Sequence, residues 1–375
     1  MVQSAKEDLG KFFIIGFQGE APDDDLRYIV RSCRPSGIIL FKRNINNKLQ
    51  LLDLINELQS LSPGAPLLVA MDQEGGRVWR LPGEFTFFPA AERLGRIGSE
   101  PLARSAARVM AMELAAVGIH CNFSPVLDLN TNPGNPVIGD RSFGDDPVRA
   151  AGLARAMLLG FRDYGITGCG KHFPGHGDTD TDSHLTLPVV GHPLERLHAV
   201  ELAPYRHLLQ DPRSPLDLIM TAHILVPGLD PDHPATLSPK ILRGLLRQTL
   251  GFRGVVITDD MEMGAITRDH SAEDAALLAL KAGADLLLYC HTPSLVPVCM
   301  ETVARAAASG RLPVRRIRQS LNRVQRFRQR LFQRFPSRST RARLFSRIGS
   351  PEHRAVADRI AGTGEPVAGK GRGLA

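Results

Sequence analysis

The sequence predicts an α/β fold, a single closed (β/α)8 (TIM) barrel, and three observations carry that expectation. Eight short and almost continuously apolar runs lie between Phe12 and Cys290. Amphipathic helical segments separate them, and polar residues collect just after the runs rather than before them. A strand that is apolar throughout must be buried on both faces, as in a parallel sheet sheathed by helices. Eight repeats favour closure into a ring, with an open doubly wound sheet as the alternative.

The strand runs are FFIIGF from Phe12, GIILF from Gly37, PLLVAMD from Pro66, HCNFSPVLDL from His120, TGCGKHF from Thr167, LDLIMTAH from Leu216, GVVITDD from Gly254 and ADLLLYC from Ala284. Between them, NKLQLLDLINELQSL, ARSAARVMAMELAAVG and DPVRAAGLARAMLLGFRDYG repeat apolar residues with helical period. Ser238 and Pro239 form an N-cap and first-turn pair for the helix that follows. Beyond Arg311, Val314, Ile317, Leu321, Val324 and Leu331 recur at three-to-four spacing, which predicts a last helix packed on the body with a solvated cationic outer face. The barrel domain is therefore expected over 1–335, and 336–375 reads as a basic, mobile C-terminal tail.

The net charge of +7 suggests an anionic partner, but its distribution does not. Thirteen arginines and no acid lie between Arg311 and Ser350, which leaves the rest of the chain at −6. No nucleic acid partner is expected; RNA or an anionic membrane surface docking on the arginine helix is the alternative. The longest apolar run near the N-terminus is six residues, so no membrane span is expected. Five scattered cysteines without a CxxC pair fit a reducing compartment, and a cytoplasmic protein is expected. The sequence leaves monomer and homodimer equally open.

In a closed barrel of this kind the active site lies at the C-terminal ends of the strands. The run from Pro66 leads into Asp72, Glu74 and Arg80, and that from His120 into Asp128, Asn130, Asp140 and Arg141. The run from Thr167 ends in Lys171 and His172, that from Leu216 in His223, and that from Gly254 in Asp259 and Asp260. The opposite strand ends begin with plain residues such as Pro66, Leu216 and Gly254.

The stretch Gly165 to His184, GITGCGKHFPGHGDTDTDSH, resembles three sites at once. GITGCGKH lacks the final hydroxyl of a phosphate-binding loop, and Pro174 and Gly175 prevent the helix that such a loop must open. Asp178, Asp180 and Asp182 alternate like calcium ligands, yet Ser183 and Val189 stand where glycine and a bidentate glutamate are required. His172, His176 and His184 could form a transition-metal site, and a metal-dependent hydrolase is the alternative function on chemistry alone.

KHFPGHG followed by four residues and DSH, spanning Lys171 to His184, resembles the signature of glycoside hydrolase family 3, in its branch of β-N-acetylglucosaminidases that recycle peptidoglycan. MDQEGGRVWRL from Met71, NPVIGDRSFGDDP from Asn135 and TDDMEMGAI from Thr258 agree, in the same order, and the likeness covers roughly residues 10 to 330. The resemblance implies a retaining exo-β-N-acetylglucosaminidase acting on anhydro-muropeptides, with no cofactor and no metal. It makes Asp259 the nucleophile, His184 the general acid and base, and Asp182 the residue that orients His184. It assigns Asp72, Arg80, Arg141, Lys171 and His172 to the sugar hydroxyls. Histidine suits the proton-transfer role because its pKa of about 6.5 lies near working pH and a neighbouring aspartate stabilises the imidazolium. A neutral histidine also repels an anionic acceptor less than a carboxylate does, so phosphorolysis is a variant of the same chemistry. The stretch Thr258-Asp-Asp-Met-Glu-Met departs from the family's commoner S-D-D-L-S-M only around the nucleophile. The strand from Ala284 is followed by too short a chain for the second domain of many relatives, and the basic extension is not explained by the family.

Overall fold

The computed structural model describes residues 8–183 and 186–362. Its strands are β1 (Phe13–Ile15), β2 (Gly37–Leu40), β3 (Leu68–Met71), β4 (Cys121–Asn122), β5 (Thr167–Gly168), β6 (Gly170–Phe173), β7 (Leu218–Thr221), β8 (Val255–Asp260) and β9 (Leu286–Tyr289). All pair in parallel in the order β5-β4-β3-β2-β1-β9-β8-β7-β6. The two ends of that order, β5 and β6, are one run of chain interrupted only at Cys169, so the ring closes with eight positions. The Cys169 N–H donates to the Ser124 carbonyl at 2.8 Å and the Leu127 N–H to the Lys171 carbonyl at 2.6 Å, which carries pairing across the seam. Each of the eight apolar runs supplies one barrel position, and the open-sheet alternative is excluded.

Strand alternation divides the core into two layers. Ile14, Ile39, Leu68, Ala70, Cys121, Phe123, Cys169, Met220, Ile257 and Leu288 fill the barrel interior. Their neighbours Phe13, Ile15, Ile38, Val69, Ile219, Val256 and Leu287 belong to the outer core under the helices. Helices are punctuated as their sequences suggest: Asp146 accepts from Val148 and Arg149 N–H groups before the helix Pro147–Arg162, and Ser238 Oγ accepts the Ile241 N–H at 3.1 Å at the start of the helical segment Lys240–Thr249.

The arginine-rich helix Val314–Arg334 sits beneath the barrel rather than beside it. Val324, Phe327 and Leu331 join the interior core as a plug, while Val314, predicted to lie in the buried stripe, is 51% exposed. Nor is the cationic face wholly solvated. Arg316 and Arg323 lie 3.7 and 3.0 Å from the fully buried Asp285, which Arg247 also contacts. Arg328 donates to the carbonyls of Ser36 and Pro66, and Arg330 lies 3.4 Å from Asp217. Asp217 and Asp285 precede β7 and β9, so the barrel floor carries charge where the sequence reading expected plain residues. The helix supplies its counter-charge.

Through Gly362 the stretch expected to be a mobile tail is packed. Helices Arg338–Phe345 and Pro351–Ala361 lie against the long helix Glu100–Val117, with His353 and Ile360 buried.

Candidate active site

The C-terminal rim gathers a charge-balanced quartet, with Lys171 and Glu74 buried and Asp72 and Arg141 half-buried. Lys171, in β6, extends its ammonium to 2.6 Å from both Asp72 and Glu74, which follow β3. Arg141, from the loop after β4, forks onto Glu74 with two bonds of 2.8 Å. Burying either cation alone would cost several kcal/mol; two anions and two cations in contact offset that cost. Burial pushes the Glu74 carboxyl up, but Arg141 and Lys171 outweigh it and hold the group well below the ordinary carboxylate range. Burial likewise disfavours the Lys171 ammonium, and Asp72 and Glu74 reverse this and raise its pKa.

A second group orients the imidazoles. Asp128 accepts from His172 Nδ1 at 2.7 Å and from the backbone N–H groups of His172 and His176. His176 is spent on the loop itself: Nδ1 meets Thr179 Oγ1 at 2.8 Å and Nε2 meets Ser183 Oγ at 3.0 Å. It braces the loop, and burial lowers its pKa to about 4. His172 and His176 thus have three of their four ring nitrogens engaged by protein, and among the described residues they form no metal-ligand cluster. Their arrangement gives the metal-hydrolase alternative no support.

Asp259 and Asp260 end β8 with different surroundings, as alternation requires. Asp260 accepts from the N–H groups of Glu262 and Cys290, both at 3.1 Å, and so fixes the turn. Among the described residues Asp259 accepts only the neighbouring Asp260 N–H, at 2.8 Å. Burial raises its pKa, and the nearby His172, His223 and Lys171 with that N–H more than compensate, so the carboxyl is held below its ordinary value. Among the described residues it is a carboxylate with little hydrogen bonding, set beside His172, His223 and the Lys171 ammonium. His223, after β7, donates or accepts at Thr236 and meets the Asp260 carbonyl at 2.9 Å.

The stretch after β6 reaches this strand. The Ser183 carbonyl accepts the Ala265 N–H at 3.1 Å, which sets Asp182 and its neighbours beside the turn that follows Asp259. Asp182 is partly buried. His184 lies outside the described residues. Arg80 stands apart from the quartet: its N–H donates to Gln73 Oε1 at 2.9 Å, its guanidinium lies 5.8 Å from the Phe41 ring, and its buried Nε has no partner among the described residues.

A family model described as "Glycosyl hydrolase family 3 N terminal domain" matches residues 5–327. The chain belongs to glycosyl hydrolase family 3. A β-hexosaminidase of Neisseria meningitidis serogroup C is 41% identical over 268 residues, 69% of this chain and 72% of that one. NagZ from Neisseria gonorrhoeae, solved in complex with N-trifluoroacetyl-D-glucosamine, superposes with a TM-score of 0.79 at 32% identity, covering 94% of this chain and 98% of that one. A fungal multi-domain family 3 β-N-acetylglucosaminidase gives a TM-score of 0.89 at 35% identity; it covers 95% of this chain, which spans only 42% of the fungal protein.

Within this family 3 barrel, the rim holds residues that the sequence reading passed over. Arg43, after β2, lies 4.4 Å over Phe41 and donates to the Phe17 carbonyl at 2.9 Å. His291, after β9, stacks on Phe41 and lies 3.4 Å from Asp260. Gln73 and Asn122 cross-bond at 2.8 and 2.9 Å. The rule that selected Lys171 and His223, polar residues directly after a strand, also reaches Arg43 and His291. Trp79 packs on Phe87 at 5.0 Å between ring centroids and against the outer core, a packing role.

Proposed function

We propose that this chain is a retaining exo-β-N-acetylglucosaminidase that removes terminal GlcNAc from peptidoglycan fragments in the cytoplasm. The observation that carries the reading is the state of Asp259: held below its ordinary pKa, at the mouth end of β8, and accepting among the described residues only the Asp260 N–H. A nucleophile needs that combination, because every hydrogen bond to its oxygens must be broken or weakened when it attacks. The β-hexosaminidase relatives supply the substrate class.

An Asp259 oxygen attacks the anomeric carbon while the leaving oxygen takes a proton from His184, held by Asp182. The C–O bond to the aglycone breaks and a glycosyl ester forms. Water then gives a proton to His184 and attacks the same carbon, which frees Asp259 and retains the configuration. Lys171, Asp72, Arg141, Arg80 and His172 hold the sugar hydroxyls meanwhile. The resemblance of the KHFPGHG and DSH stretch supports the His184 role, and the Ser183 to Ala265 bond supports the nearness of Asp182 to the turn after β8.

Mass spectrometry after reaction with a fluorinated glycosyl probe tests the proposal. A sugar on the peptide holding Asp259, absent from Asp259→Asn, is expected. Labelling elsewhere, or full turnover in His184→Ala on an unactivated glycoside, overturns it. Sugar 1-phosphate formed in phosphate buffer would identify the phosphorolytic variant.

A further inference from the structure

Outside the active-site network, Asp178, His192 and Glu201 bring one ligand atom each within 4.8 Å of one another. His192 Nε2 contacts Asp178 Oδ2 directly, and the other Asp178 oxygen accepts from Thr131 at 3.0 Å. Glu201 is the telling member. It is 6% exposed, yet neither carboxylate oxygen has a hydrogen-bond partner among the described residues. A buried carboxylate in that condition forfeits its hydration without replacement and calls for a cation. Arg196 answers poorly: its Nη2 lies 3.5 Å from Glu201 and 3.4 Å from Asp178, longer than a hydrogen bond, and its side chain is 38% exposed. Gly175 lets the loop pass close to Glu201, since a Cβ there would lie 2.9 Å from Glu201 Cβ.

We propose that Asp178, His192 and Glu201 bind a divalent transition-metal ion, with zinc the best match. One imidazole and two carboxylates with an open fourth position suit zinc, whose ligand distances are about 2.0–2.2 Å. The ion takes the place of the Arg196 guanidinium, which swings into solvent. Its ligands bracket the chain that carries Asp182, with Asp178 before it and His192 after it, so the ion pins the two ends of that stretch together. The site is separate from the glycosidase chemistry, and its binding is read without turnover, so it stands or falls independently of the proposed function.

The test uses the full chain, freed of metal with EDTA, dialysed and equilibrated with zinc chloride. Retained zinc is counted by plasma mass spectrometry and affinity is measured against a chromophoric chelator. One zinc per chain is expected, with at least tenfold weaker binding in His192→Ala and Glu201→Gln and native binding in Asp182→Asn. His192 is partly exposed, so its variant should fold even if the buried Glu201 variant does not, and circular dichroism checks both. Absence of zinc from the native chain, affinity unchanged in His192→Ala, or loss only in Asp182→Asn overturns the proposal.

Discussion

Lys171 Nζ lies 2.6 Å from Asp72 Oδ1 across the mouth of the barrel, joining β6 to the loop after β3. The ammonium is 2% exposed and also neutralises Glu74, so it serves both fold and site. Lys171→Met leaves the buried Glu74 with Arg141 alone and takes the ammonium from the half-buried Asp72. Loss of one partner from a buried ion pair costs about 3–5 kcal/mol. A clear fall in melting temperature is expected. In the fraction that remains folded, kcat/KM on an aryl N-acetylglucosaminide should fall by roughly 10- to 100-fold, the effect of losing one charged hydrogen bond to a hydroxyl. Unchanged melting and turnover would show the quartet to be ornamental.

Much of this arrangement is legible in the sequence, and the reason is periodicity. A parallel strand buried on both faces reads as an unbroken apolar run, and its C-terminal end is marked by the first charge, as at Asp72, Lys171 and Asp259. What fails is any contact whose partners are far apart in the chain. Asp285 looks like the first residue of an ordinary strand, and nothing local says that Arg247, Arg316 and Arg323 converge on it. The arginine helix shows the same limit: its period is plain, but Phe327 in the plug and Val314 in solvent are decided by the barrel floor.

Asp285 gives the corresponding prediction at the other end of the barrel. It is fully buried and accepts from Arg247, Ser320 and Arg323. Asp285→Ala strands those guanidiniums beneath the core, and a loss of about 3–5 kcal/mol is expected in urea unfolding. The floor is remote from the rim, so KM should not move. A rise in KM without loss of stability would mean that the floor communicates with the site.

The buried His176 predicts a pH effect with a definite sign. Its folded pKa is about 4, against about 6.5 unfolded, because burial disfavours the charged form. Above pH 6.5 the group is neutral in both states. As pH falls from 6.5 towards 4, the unfolded chain takes up a proton that the folded chain refuses, and stability drops by up to roughly 1.4 kcal/mol per pH unit. Below 4 the penalty is constant. His120, lowered to about 3 by burial, acts in the same direction, so the His176 share is a difference between two curves. His176→Asn should flatten the stability profile between pH 4 and 6.5; parallel curves for the two proteins would contradict the neutral, loop-bracing imidazole.

The C-terminal segment decides between composition and packing. Its arginines, with few acids to balance them, suggest a chain unable to fold on the body, yet Glu113 supplies a counter-charge from a helix 240 residues away. Glu113 is 2% exposed and accepts from His353 Nδ1 at 2.8 Å and from the Gly349 N–H at 2.9 Å, as well as from Thr86. Ile348, Ala357 and Ile360 are buried in the same docking. Truncation after Phe335 removes these partners and exposes apolar surface on the helix Glu100–Val117, at about 1.5–3 kcal/mol for each large aliphatic side chain. The truncated protein should unfold at lower temperature and lower urea than the full chain, and Glu113→Gln in the full chain should lose part of the same amount. Equal stability of the 1–335 and 1–375 chains would restore the reading of this segment as a tail, because a docked helix pair cannot be removed without cost.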